Sequence, residues 1–204
     1  MPKPAHITLP EGGERRFLPF TGTEIRVETR EGKSTLSGVT APFGKLSLDL
    51  GGFQEQIQRG AFANALKRSD PVGLFNHNPD NLLGRMSAGT LRLKETDVGL
   101  EYDLDLPDLE IGRQVRTGVD RKDIQGNSFA FRVKKDQWEE RADGSWLRTV
   151  MEIDELYDVG PVVYPAYPDT EVALRSLAHA KAVKPPVTDE SRERIQRLVE
   201  AEIA

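Results

Sequence analysis

Polar and apolar residues alternate through much of the chain. Thr23-Glu24-Ile25-Arg26-Val27-Glu28-Thr29 repeats with period two, the mark of a strand with one face in a core, and Ser34 to Val39 returns beside it as a hairpin. Gly99 to Leu106 sets Leu100, Tyr102, Leu104 and Leu106 against acidic neighbours in the same way. Val72 to Phe75, Gly89 to Leu93 and Ser128 to Val133 are shorter extended runs. Trp146 to Ile153 and Leu156 to Tyr164 read as two more, joined to the preceding strand by an Ala142-Asp143-Gly144-Ser145 turn. Helical spacing is rarer. After a glycine-closed loop from Leu46 to Gly52, residues Phe53, Ile57, Phe62 and Leu66 fit a broken helical pattern interrupted at Gly60. Ile111 and Val115 suit a short helix capped by Asp108.

Many short strands with one or two helices predict a mainly β fold, a small closed antiparallel β-barrel wrapped by short helices, over residues 21–175. Residues 1–20 mix Pro, Gly and charge without a period and read as a mobile arm. After Pro168 the composition shifts to Ala, Lys, Arg and Glu, with a break at Lys184-Pro185-Pro186. Residues 176–204 therefore read as a flexible tail, in which Thr188 caps an amphipathic helix with Ile195, Leu198, Val199 and Ile203 on one face.

Composition narrows the chemistry. A chain of 204 residues with 37% hydrophobic content holds one sizeable core. Its 33 acidic and 28 basic residues are spread along the chain and form no basic stripe, so nucleic acid is not an expected partner. The absence of Cys removes disulfides, thiolate nucleophiles and Cys-based zinc sites, and fits a reducing compartment. Met1-Pro2-Lys3-Pro4-Ala5-His6 has no apolar signal region, and no run approaches the roughly 20 apolar residues that span a bilayer, so a soluble cytoplasmic protein is expected. Neither a Gly-x-x-x-x-Gly-Lys-Ser/Thr loop nor a Gly-x-Gly-x-x-Gly turn is present, and His77 with Asp80 lacks a partner motif, so neither cofactor nor metal is expected.

Of three His, His6 and His179 fall in the expected tails, which leaves His77 in Phe75-Asn76-His77-Asn78-Pro79 as the one held by a strand end. Ser128 alternates with Phe129 and Phe131, so one face of its strand packs and the other presents a hydroxyl. A Ser and a His on separate rigid strands suit acyl transfer, because a serine hydroxyl is a poor nucleophile until a base takes its proton. A third group must hold the imidazole. The acidic run Glu152-Ile153-Asp154-Glu155-Leu156-Tyr157-Asp158 offers it, with Asp158 the first choice because Val159 to Tyr164 is apolar, and Glu152 the second.

These segments occur in an order that resembles the prohead maturation proteases of tailed bacteriophages of the HK97 type. It is carried by Gly52-Phe53-Gln54-Glu55-Gln56-Ile57 with Gly60-Ala61-Phe62, Leu74-Phe75-Asn76-His77, Leu83-Gly84-Arg85 with Ser87-Ala88-Gly89-Thr90-Leu91, Gly126-Asn127-Ser128-Phe129-Ala130-Phe131, and Asp158-Val159-Gly160-Pro161-Val162-Val163-Tyr164-Pro165-Ala166-Tyr167-Pro168. The resemblance implies a serine endopeptidase similar in fold to the herpesvirus assembly protease, with His77 as base and Ser128 as nucleophile. It also implies action in the host cytoplasm inside the assembling prohead, on scaffold or the scaffold-like amino-terminal arm of the major capsid protein, with self-cleavage. A homodimer or scaffold-bound assembly would fit. Where such proteins read Glu-Val-Ser this chain has Asp158-Val159-Gly160, the feature that favours the alternative, a non-catalytic β-rich virion or scaffold protein.

Overall fold

The computed structural model describes residues 9–18, 25–163 and 170–183. In chain order the elements are β1 (Gly13–Leu18), β2 (Arg26–Arg30), β3 (Lys33–Pro42), β4 (Phe53–Ile57), α1 (Ala65–Arg68), β5 (Val72–Leu74), β6 (Leu82–Arg85), β7 (Leu91–Glu95), β8 (Gly99–Asp105), α2 (Glu110–Asp120), β9 (Gly126–Glu140), β10 (Trp146–Val162) and α3 (Thr170–Val183). A 3-10 turn, Pro79–Asn81, leads into β6.

The long hairpin of β9 and β10 is the spine of the six-stranded sheet. Its turn is tied by Asp143, which accepts from the Ser145 backbone N–H and hydroxyl, and Gly144 takes the left-handed φ of 81° that a side chain would resist. Antiparallel β1 lies along the free side of β9. The other side of β10 takes β4 beside its first half and β5 beside its end, both parallel, and β6 follows on β5. The second sheet is antiparallel, in the order β2-β3-β8-β7. The two sheets share one core, in which Leu36, Tyr102 and Leu104 meet Phe129, Phe131 and Ile153, all essentially buried. Each such side chain contributes about 1.5–3 kcal/mol on leaving water, which makes this face-to-face contact the main apolar term.

The fold is mainly β with three helices among the described residues, but its strands do not close into one antiparallel barrel. Period-two alternation says only that one face of each strand is buried, which two packed sheets satisfy as well as a barrel. The broken helix expected from Phe53 to Leu66 is a strand, β4, followed by a helix of one turn, α1. Phe53 and Ile57 fit periods of two and four alike, and the core-facing position between them is a buried glutamate, Glu55, which masks the alternation. The two runs read in 146–164 are one irregular strand, whose register shifts between Val150 and Asp158 break the pattern. Residues 13–18 of the expected arm form β1. The expected boundary at 175 falls inside α3, whose Leu177 is buried with Leu50, Phe53 and Trp146. The helix expected after Thr188 lies outside the described residues.

Four charged side chains, none more than 4% exposed, join β1 to β4 and β10. Arg16 grips Glu55 with two bonds of 2.7 and 3.0 Å and also contacts Glu14. Arg148 grips Glu14 with bonds of 2.7 and 2.9 Å, reaches Glu55 at 3.0 Å, and donates its Nε to Asp136 at 2.7 Å. Burying an ion costs several kcal/mol, an amount offset only when every donor and acceptor is matched, as in this ring. Burial works against the charge on Glu14, yet the Arg16 guanidinium beside it and the bonds from Arg148 hold its carboxyl below the usual value. Burial likewise opposes the charge on Arg16, and Glu55 and Glu14 outweigh it.

Arg148→Met leaves two buried carboxylates sharing one guanidinium and is expected to cost about 3–5 kcal/mol in urea unfolding. Because the folded-state pKa of Glu14 is depressed, its contribution is present above the ordinary value of 4.5 and is lost as pH falls through the lowered one. Unfolding free energy should therefore fall on acidification below that value, and less steeply in Glu14→Gln.

Candidate active site

Ser128 sits near the start of β9, between the core-facing Phe129 and its partner across the hairpin, Gly160. Residues two apart on a strand share a face, so Ser128 and Ala130 point the same way and Phe129 and Phe131 the other. Asp158 pairs with Ala130 and so joins the face of Ser128. A register shift brings it there. Leu156 pairs with Phe131 and Asp158 with Ala130, two steps on β10 against one on β9. Without that bulge Tyr157 would stand opposite Ala130, and Asp158 would face the core with Phe129.

His77 arrives from β5. The parallel pairs of Asp158 with Val72 and Val159 with Gly73 end β5 alongside this face, and the chain then turns back through Asn76 and His77, whose φ angles of 56° and 54° are both left-handed. Asn tolerates that conformation better than most residues, and the turn is tied at both ends. The Asn76 N–H donates to the Pro161 carbonyl at 3.0 Å and its Oδ1 accepts from the Val163 N–H at 2.9 Å. Asn78 then caps the 3-10 turn by accepting from the Asp80 N–H. Gly160 permits the approach of β5, since a Cβ there would lie 2.1 Å from the Leu74 carbonyl oxygen. Any side chain at this position would disturb this packing.

The three side chains form one line. His77 Nδ1 lies 2.5 Å from Asp158 Oδ1, and Nε2 lies 2.6 Å from Ser128 Oγ. A carboxylate only accepts, so Nδ1 carries the proton toward Asp158, and Nε2 of the neutral ring is left to accept from the hydroxyl. His77 is 7% exposed, Asp158 5% and Ser128 0%. Asp158 thus spans the distance despite its shorter side chain. Glu152, the second choice, is not brought to the ring: it pairs with Lys134 at 2.9 Å and Asn64 at 3.0 Å, bonds that hold its carboxyl below the usual range. His179 is exposed on α3, and His6 lies outside the described residues.

Other neighbours carry no sequence signal. Thr40 Oγ1 donates to the Ser128 carbonyl at 3.2 Å, and buried Tyr102 donates to Asn127 Oδ1 at 2.6 Å, so the second sheet holds the backbone around Ser128. The Ser128 hydroxyl also lies 2.9 Å from the Arg16 carbonyl of β1. Glu14, Arg15 and Arg16 are three charges in succession and show no strand period, and the partner of Glu14, Arg148, lies 134 residues away. A cavity of about 270 Å³ opens beside His77 and Asp158, lined by Leu9, Pro10, Leu74, Pro79, Leu82 and Arg85 among others.

The family described as caudovirus prohead serine protease matches residues 23–184 of this chain. No curated protein matches it significantly. Among solved structures, that of the bacteriophage T4 capsid assembly protease is similar at a TM-score of 0.46, with 8% sequence identity, over 75% of this chain and 99% of that one.

Asn76→Ala removes the bond to the Val163 N–H and places alanine in a left-handed turn. A loss of about 1–3 kcal/mol in unfolding free energy is expected, and Asn76→Gly should recover part of it.

Proposed function

The chain belongs to the caudovirus prohead serine protease family, and we propose that it matures the prohead by cleaving scaffold or the amino-terminal scaffold-like arm of the major capsid protein, and itself, with Ser128 as nucleophile. The line of Asp158, His77 and Ser128 at 2.5 and 2.6 Å is the observation that carries this reading. As Ser128 Oγ attacks the peptide carbonyl, His77 Nε2 takes its proton and Asp158 stabilises the resulting imidazolium. The tetrahedral intermediate then collapses: the C–N bond breaks, His77 returns the proton to the departing amine, and an acyl-enzyme remains on Ser128. Water deprotonated by His77 attacks that ester and restores Ser128. No step calls for a cofactor. Within the Asp158-Val159-Gly160 block that favoured a non-catalytic virion protein, the short carboxylate lies within reach of the imidazole, which supports the enzyme reading over that alternative.

The cavity beside His77 is largely apolar at Leu74, Pro79 and Leu82, with Arg85 at its rim, and suits an apolar side chain of the substrate next to the scissile bond. Its place inside the prohead would give the enzyme a high local concentration of capsid and scaffold arms.

Co-expression with the cognate capsid gene, followed by mass spectrometry of chain termini, tests the reading. Ser128→Ala is expected to abolish new termini while melting as wild type, since it removes one oxygen and leaves almost no cavity. Termini appearing at the wild-type rate would remove Ser128 from the role.

Asp158→Asn is expected to fold and to lose turnover by about a thousand-fold or more, because an amide holds the wrong tautomer and cannot stabilise the imidazolium. Glu152→Gln should keep near wild-type turnover. The reverse ranking of the two variants would transfer the role to Glu152.

A further inference from the structure

The far half of the β9–β10 hairpin carries a second concave site. Asp136, Trp138 and Glu140 alternate along β9 and so share one face, which Trp146 and Arg148 join from β10 as the partners of Glu140 and Trp138. Against this face lies α3. Its Leu177 packs with Leu50, Phe53 and Trp146, whereas Ser176 and Ala180, one turn apart, are too small to fill the space beside it. What remains is a cavity of about 500 Å³ between helix and sheet, lined by both indoles, by Asp136 and Glu140, and by the exposed His179. Ten residues of β9 separate Trp138 from Ser128, about 30 Å along the strand, so this cavity stands apart from the acyl-transfer line.

The lining is acidic and aromatic. Among the described residues that form it are two carboxylates and one imidazole, but neither Lys nor Arg. Arg141, the residue after β9, turns to Gln54 instead. Behind Asp136, Arg16 and Arg148 offset only two of the three carboxylates to which they are bonded, Glu14, Glu55 and Asp136, so the buried cluster keeps one negative charge. The face of an indole is electron-rich and attracts cations. Trp138 already meets one: Arg148 Cζ lies 5.5 Å from its ring centroid while Arg148 Nε donates to Asp136 at 2.7 Å. The Trp138 N–H donates to the same carboxylate at 3.2 Å, so indole and carboxylate act there as a unit. An anion entering the cavity would be repelled by both carboxylates, and a neutral group would forgo their field. The space exceeds one long side chain, which leaves room for the main chain that carries it.

We infer that this cavity binds a Lys or Arg side chain of another polypeptide, with Trp138 and Trp146 against its stem and head and Asp136 and Glu140 supplying the counter-charge. It is a handhold for a basic segment, and it does not depend on the reading of Ser128 as nucleophile.

Trp138 and Trp146 are the two tryptophans of the chain, so indole fluorescence of the full chain reports on this cavity. Titration with the peptide acetyl-Gly-Gly-Arg-Gly-Gly-amide is expected to give a saturating change, and the same peptide with citrulline, alike in shape but uncharged, should bind at least about 10-fold more weakly. Equal affinities overturn the choice of a cation. Methylguanidinium, the head without a main chain, should also bind at least about 10-fold more weakly than the arginine peptide. If it binds as tightly, the ligand is a small free cation and the polypeptide is excluded. Ala180→Leu fills the cavity and Glu140→Gln removes a carboxylate, and each should weaken the arginine peptide about 10-fold with the melting temperature unchanged. Should Ala180→Leu displace α3, the exposed Glu140 decides alone, and wild-type affinity in Glu140→Gln overturns the site. Ser128→Ala should bind as wild type. Loss of binding there would place the peptide on the face of Ser128 and overturn the assignment to this cavity.

Discussion

The register of β9 against β10 is the constraint from which the site follows. Side chains on paired strands share faces strictly, so one residue of slip would carry Ser128 or Asp158 into the aromatic core. The bulge between Leu156 and Asp158 is therefore more than an irregularity: it lets β10 bury Leu156 with Phe131 and then, two residues later, present a carboxylate on the opposite face. The parallel docking of β5 depends on the same stretch, since Val72 and Gly73 pair with Asp158 and Val159. His77, Asp158 and Ser128 thus derive their places from one short length of ladder.

Apolar packing and buried charge divide the remaining work. The contact between sheets is large but non-directional, and would tolerate several strands at the β9 edge. The ring of Glu14, Arg16, Glu55 and Arg148 is directional, and the matching of two bidentate pairs selects β1 for that edge and sets its register. Phe53 and Trp138, with ring centroids 4.8 Å apart, extend the sheet's outer face to the small second core under Leu177.

Much of this was legible in the sequence where one face is apolar and the other is not. The hairpin of β2 and β3, the alternating β8 and the α2 helix follow from Ile25 and Val27, from Leu100 to Leu104, and from Ile111 and Val115. Ser128, His77 and Asp158 were named from residue type and flank, and the structure brings those three together. What escaped is what charge conceals. Glu55 made β4 look helical, and Glu14 and Arg16 helped make β1 look like part of a mobile arm, because a buried ion is recognisable only through partners far away in sequence. The bulge that orients Asp158 escaped for a different reason, since it exists only as a relation between two strands. It is that bulge that turns Asp158 toward His77, while Glu152 pairs with Lys134 and Asn64.

That relation also orders events in time. Ser128 meets Arg16 across 112 residues, and His77 meets Asp158 across 81. Contacts of such separation form late, after loop closure has been overcome. A ribosome releasing this chain has made the serine and the histidine well before β10 emerges, yet their shared face does not exist until Asp158 and Gly160 have paired with Ala130 and Ser128. Only when β10 has paired does the chain bring Ser128, His77 and Asp158 together, so the last strand in chain order is the one that completes their shared face.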